Sequence, residues 1–488
     1  MLQHRRDRRR FDVGLGLVVA LASTFMACSF EGAPKTPGDL HELLNTAPHV
    51  DLTDSQHATY SEVPGLLKVQ HRLGCAEALR AATKDHVGLR IHDMVVIPPG
   101  YNTGTVFLNG WRLRYQNGDH PVRGLGSAIF NIIQTQNGDQ QELHWEAGGV
   151  LGDDNGNDPY EWCGIYTLLF WHRDRFDDQL IPPQIAAWPY HTDVPPEVLT
   201  FAQVEGADPG NDTARRELPG VFVNTSGWPQ HAVLPRAFGF VWGDDTDHYL
   251  LQAGFDLGTS VAHGNTISWT STTLWKDDSP RRDYHGSTMV SILNGPSVSM
   301  WHPATVLRRS SSTGGWQRVT NAIPLTPNNA PDRWPCVGGD PHTQQRQFKI
   351  DNVPFHYAVP VLTGWQLAYP CSDHHVETIG VWIKGFSYER APGAATGTLL
   401  YTIESILTDD AILGDHGGEA QYNVSVLGLN PSALPPTQTV HTGPALQLPN
   451  TVLPPEPPPD NPPPDDPPPD DPPPICRTKP WTPGCEDF

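Results

Sequence analysis

The side chains best suited to chemistry recur in three places along the chain. An aspartate–histidine pair stands at Asp119-His120, at Asp247-His248 and at Asp373-His374. Downstream of each comes a pair of aspartates, Asp153-Asp154, Asp277-Asp278 and Asp409-Asp410, followed by a third, Asp158, Asp283 and Asp415. Three carboxylates in one short loop offer the hard oxygen ligands that Ca²⁺ takes, and DDNGNDPYEW is the fullest version of that loop. Its glycine and glutamate fall at the wrong positions for an EF-hand. Imidazole beside carboxylate suits zinc instead, and Asp373-His374-His375 and Asp415-His416 are groupings of that kind. These residues also have a structural use. An aspartate at a loop entry accepts local backbone N–H bonds, and a neighbouring histidine can be held by its carboxylate.

Catalysis asks for more than such pairs. Acid–base or nucleophilic chemistry needs a third partner and a pocket. The chain has no HExxH and no phosphate-binding or dinucleotide-binding glycine loop, and GPSVS (295–299) lacks the last glycine of a nucleophile elbow. An active site is one asymmetric place, whereas these groups come in threes. Repetition therefore favours scaffolding or multivalent binding.

The repetition extends to the elements that carry the polar groups. LNGWRLRYQNGDH (108–120) aligns without a gap on LTGWQLAYPCSDH (362–374), and ten of the twenty-two columns from Leu108 are identical. A more diverged copy, AFGFVWGDDTDHYLLQAGFDL (237–257), sets Phe238, Phe240 and Trp242 against Trp111, Leu113 and Tyr115. In each copy an aromatic, Trp145, Trp269 or Tyr401, precedes the paired aspartates by eight residues, and Tyr166 aligns with Tyr422. Internal repeats decide architecture before local propensity does. Trp111, Leu113 and Tyr115 alternate with Arg112 and Arg114, and Trp365, Leu367 and Tyr369 with Gln366 and Ala368, the two-residue period of a strand with one buried face, and Asn117-Gly118 is a tight-turn signal. The chain also carries fifty prolines and forty-five glycines. The fold class expected is all-β: three tandem, divergent antiparallel β-sandwich-like units with long loops, then a polyproline II tail. Only AEALRAATKD, around Glu77–Lys84, reads as a short helix.

The expected domains are a signal segment (1–28), a linker (29–70), unit 1 (71–175), an irregular linker or insertion (176–228), unit 2 (229–310), unit 3 (311–430) and a tail (431–488). Five arginines precede the apolar run VGLGLVVALASTFMA, which is too short and glycine-interrupted for a membrane span. Phe25-Met26-Ala27-Cys28 resembles a bacterial lipoprotein cleavage box, which implies lipidation of Cys28 and export to the outer membrane or cell surface. Six cysteines remain, Cys75, Cys163, Cys336, Cys371, Cys476 and Cys485, an even number that suits disulfides in an exported chain. Cys75 with Cys163, Cys336 with Cys371 and Cys476 with Cys485 are the candidate pairs. From Leu453 to Pro474 the sequence is LPPEPPPDNPPPDDPPPDDPPP. Proline lacks an N–H and fixes φ, so the run extends as polyproline II.

The formal net charge is −22, and the basic residues before Cys28 leave the rest near −25. Such a chain repels phosphate backbones, so no nucleic-acid partner is expected. Fifteen tryptophans divide into strand positions such as Trp145, Trp269 and Trp365, expected in the core, and Trp162, Trp228, Trp301, Trp316 and Trp334, in loop-like contexts where exposed rings stack on sugars. Repeated β units on a tethered chain resemble surface adhesins and lectin-like modules in outline, a likeness of architecture alone. The expectation is a non-enzymatic, exported adhesion protein. Its ligand would be a glycan or cell-envelope surface, its membrane contact the lipid anchor, and Ca²⁺ would stiffen the aspartate loops. The alternatives are a secreted polysaccharide hydrolase with one catalytic unit and a structural cell-envelope component.

Overall fold

The computed structural model describes residues 47, 49–63, 67–78, 88–153, 158–172, 199–202, 215–223, 230–242, 248–277, 284–294, 298–321, 325, 343–369, 374–391, 393–409 and 419–430. Among these residues there are strands and no helix. β1 (Asp54–Val63), β2 (Leu67–Ala78) and β3 (Gly88–Val96) come first. The first copy of the repeat supplies β4 (Thr103–Tyr115), β5 (Gly124–Asn137), β6 (Gln140–Gly152) and β7 (Tyr160–Trp171). Next are β8 (Leu199–Ala202) and β9 (Arg215–Val223), then the second copy with β10 (His231–Trp242), β11 (Gln252–Asp256), β12 (Val261–His263), β13 (Thr266–Lys276) and β14 (Tyr284–Asn294). β15 (Val298–Trp301), β16 (Thr305–Arg309), β17 (Trp316–Thr320) and β18 (Thr343–Val353) lead to the third copy, β19 (Tyr357–Ala368), β20 (Thr378–Glu389), β21 (Gly397–Thr408) and β22 (Glu419–Leu429).

These strands form three antiparallel sheets, and every sheet mixes two copies. Within a copy the first strand pairs with the last and the two middle strands pair together: β4 with β7 and β5 with β6, β10 with β14 and β11 with β13, β19 with β22 and β20 with β21. The joins run between copies, β10 to β5, β19 to β11 and β4 to β20. Their register is the same each time. Phe238 faces Ser127, Trp365 faces Phe255 and Trp111 faces Val381, three pairs from matching repeat columns. The chain therefore closes about a pseudo-threefold axis. Self-contained sandwiches, one per copy, were the expectation, and the joins correct it. A two-strand pair leaves an edge of unpaired N–H and C=O groups, and here the neighbouring copy satisfies that edge.

The same aromatic column fills the centre. Trp111 and Phe238 approach with ring centroids 4.9 Å apart, and each lies 5.1 Å from Trp365. All three are buried. Each first strand also carries a bulge at one repeat position, with the register shifting between Leu108 and Gly110, Pro235 and Ala237, and Leu362 and Gly364. A bulge re-aims the extra side chain and increases local twist. The extra residues, Asn109, Arg236 and Thr363, are fully buried. Asn109 donates Nδ2–H to Pro360 O at 2.9 Å and accepts from Leu362 N at 2.8 Å, while Arg236 donates Nε–H to Ile129 O at 3.1 Å. Both bulges thereby tie one copy to another.

Local expectations fared unevenly. Cys75 and Cys163 form a disulfide between β2 and β7. Cys336, Cys371, Cys476 and Cys485 lie outside the described residues. The expected helix is corrected where it can be seen, since Ala76, Glu77 and Ala78 pair with Trp162, Glu161 and Tyr160 in the sheet. Trp145, Trp269 and Trp365 are core as expected, but Trp162 is equally buried, donating Nε1–H to Ser127 Oγ at 3.0 Å. In the last strands the repeat offset moves by two. Leu108 faces Tyr166 whereas Leu362 faces Val424, so Val424, and not Tyr422, is the counterpart of Tyr166.

Candidate functional site

The aspartate–histidine segments meet as one closed joint. His120 bridges to Val376, His248 to Val122 and His374 to Leu250, so each histidine clasps the residue two past the histidine of another copy. Six backbone hydrogen bonds of 2.8–3.3 Å complete the circuit. Each imidazole lies against an aromatic at or just past the end of its first strand, His120 on Tyr115 at 4.7 Å, His248 on Trp242 at 4.9 Å and His374 on Tyr369 at 4.8 Å. Each turns Nδ1 to the first aspartate of its copy's later pair: Asp153 at 3.9 Å, Asp277 at 3.7 Å and Asp409 at 3.1 Å. The expected holder, the aspartate next in sequence, does something else in the first copy. Asp119 reaches His375 Nδ1 of the third copy at 3.5 Å, and the His375 ring meets Tyr249 of the second at a tilt, with centroids 4.5 Å apart. Asp154, Asp247, Asp278, Asp283, Asp373, Asp410, Asp415 and His416 lie outside the described residues.

Among the described residues, a third group joins the pair in the first copy. Asp158 Oδ2 lies 3.2 Å from His120 Nδ1, and donor atoms of His120, Asp153 and Asp158 fall within 4.8 Å of one another. Asn117 completes the cluster, donating Nδ2–H to Asp158 Oδ1 at 2.7 Å. Desolvation pushes the Asp158 carboxyl up. The hydrogen bonds with Asp153 and Asn117 and the nearby imidazole outweigh it and hold the group below the usual carboxylate range. One imidazole nitrogen with two carboxylates is a donor set for zinc or manganese, whereas Ca²⁺ prefers oxygen alone.

A groove of different character opens where the edge of the nine-stranded sheet faces β22. Its floor is Val306, Val319 and Phe348, with the Tyr422 ring, and Arg308 and Arg346 stand over it. The volume is about 520 Å³, and the same two arginines line an adjoining opening beside Arg309 and Ser310–Ser312. Among the described lining residues there is no carboxylate. The geometry follows from the strand period. Arg346 and Phe348 are two residues apart in β18 and so share a face, and Arg308 of β16 lies opposite Phe348. Arg346 sits over the Tyr422 ring at 5.9 Å and donates to Ala420 O at 3.0 Å and to Gln344 Oε1 at 2.6 Å. Phe348 stacks on Tyr401 at 5.4 Å. On the opposite face of the same edge, Lys349 Nζ lies 5.3 Å from the exposed Trp316 ring.

Sequence reasoning singled out Trp316, on the other face of this edge, and missed the arginines of the groove. The available signals were the doublet Arg308-Arg309 in an acidic chain and the alternation of RQFK in β18. Comparison with family models, with curated proteins and with solved structures finds no match to this chain.

Proposed function

We propose that the chain is a non-enzymatic binding protein of the exported cell envelope, in which a closed β scaffold presents a groove for an anionic glycan. The observation that carries this reading is the pairing of Arg308 and Arg346 with Phe348 and Tyr422 in a chain of net charge −22. Guanidinium groups pair with carboxylate or sulfate oxygens two at a time, and aromatic faces take the apolar side of a sugar ring. The repeated histidines and aspartates support the same reading from the other direction, because their geometry joins copies together. The proposed anchor is a lipid on Cys28.

A glycan array with uronate-containing, sulfated and neutral members tests the reading. The full chain is expected to retain the acidic members and lose them in high salt, and Arg308→Gln to weaken retention roughly tenfold, a typical figure for one charge-assisted contact. Indifference to the whole array would sink it. Release of reducing ends from those glycans would favour the hydrolase instead. The cation belongs to the proposal as well, with His120, Asp153 and Asp158 as its ligands. Zinc is expected to raise the melting temperature more than Ca²⁺ does, and Asp158→Asn to abolish the difference; equal shifts with both ions would remove the cation.

A further inference from the structure

We infer that the groove also docks the chain's own acidic proline tail. The groove is a cationic, aromatic-floored channel with Arg308 and Arg346 over Phe348 and Tyr422. Polyproline II segments dock in aromatic-lined grooves, since they lose little entropy on binding and offer flat pyrrolidine faces to the rings. This chain carries such a segment with matching charge. Residues 453–474 hold Glu456, Asp460, Asp465, Asp466, Asp470 and Asp471 and no basic residue.

The tail also starts in reach. β22 lines the groove at Tyr422 and ends at Leu429, a distance of about 23 Å at the usual rise per strand residue. Residues 431–452 connect that end to the tail, and a segment of this length can reach at most about 75 Å when extended, well beyond that distance. The tether is therefore long enough for the tail to meet the groove of its own chain, and tethering gives it an effective concentration far above that of a separate molecule. A contact too weak to matter between separate molecules is populated within one. The period of the acidic spacers is five residues, so successive aspartates point in different directions around a helix of three residues per turn. Whichever face of the prolines meets the rings, an aspartate is near an arginine.

Docking leaves β16 and β17 covered, and their amide exchange reports it. The full chain is compared with a variant carrying Asp465→Asn, Asp466→Asn, Asp470→Asn and Asp471→Asn, with Arg308→Gln, and with both together. None of these changes touches the core. The native tail is expected to slow exchange across Thr305–Thr320 several-fold at low salt. Each variant should abolish that protection, and the combined variant should add nothing further. Equal exchange in the native and asparagine tails overturns the inference. So does protection that grows with chain concentration, because the tail would then be sitting on a neighbouring molecule.

This inference goes beyond the glycan reading and survives its failure, since exchange is measured with no glycan present. Where both hold, the tail is a built-in competitor, and the asparagine variant binds acidic glycans several-fold tighter than the native chain.

Discussion

His71 has no exposed surface, stands 2.8 Å through Nδ1 from Thr167 Oγ1, and meets Phe386 edge-on at 5.2 Å. Burial pushes its pKa down to about 3, against a smaller upward contribution from the Gln70 backbone. The folded chain thus keeps a neutral imidazole at pH values where the unfolded chain binds a proton. The stability that follows is fully present above about pH 6.5 and is lost progressively as pH falls toward 3. By pH 4.5 the loss is about 3 kcal/mol. Denaturant titrations at pH 7 and pH 4.5 should show it, and His71→Gln should lose that much less between the two. An identical loss in the variant would show that other groups set the acid sensitivity. At this scale the sequence displayed the repeated aspartate–histidine pairs but not their partners. Each histidine has a carboxylate from later in the same copy beside it, and in the first copy the aspartate adjacent in sequence turns to His375 instead.

At the scale of strands, the first strand of each copy does three things at once. It pairs with the last strand of its own copy and a middle strand of another, and it sends one aromatic to the centre. Trp111→Ala removes a buried ring that both Phe238 and Trp365 contact, so a loss of about 3–5 kcal/mol is expected. Trp316→Ala, on an exposed edge strand, should stay within about 0.5 kcal/mol. Midpoints in denaturant separate the two, and comparable losses would contradict the assignment of Trp111 to the centre. The strands themselves were legible because the two-residue period survives in the first and third copies and aromatics hold the matching positions of the second. The bulges were not, since one extra residue within a strand leaves no compositional mark, and neither was the two-residue offset of the last strands. The alanine-rich run after Cys75 looked helical by propensity alone. Pairing along the whole of β2 with β7, across the disulfide, overrides that preference.

For the whole molecule, the triplication was readable and the connectivity was not. A repeated sequence says that each copy can form the same contacts, without saying whether they fall within a copy or between copies. Here the decisive ones fall between: β5 with β10, β11 with β19, and β20 with β4. A ring of this kind has no weakest copy to lose first, because removing any one exposes the edges of both others and empties a third of the central aromatic cluster. The full chain should therefore unfold in one calorimetric transition, with calorimetric and van't Hoff enthalpies in agreement. Breaking the Cys75–Cys163 bridge, which spans 88 residues of sequence, should lower that transition by about 4–5 kcal/mol on the chain-entropy account. It should not split it. Residues 229–310 expressed alone should show no cooperative melt, since Phe238 then lacks the Trp111 and Trp365 rings and β10 and β11 each lack a neighbour. Had each copy been its own sandwich, the same fragment would fold and the full chain would melt in steps. A stable isolated copy would therefore mean that the joins between sheets are contacts of convenience, and the closed ring would no longer explain why the aspartate–histidine segments were kept three times.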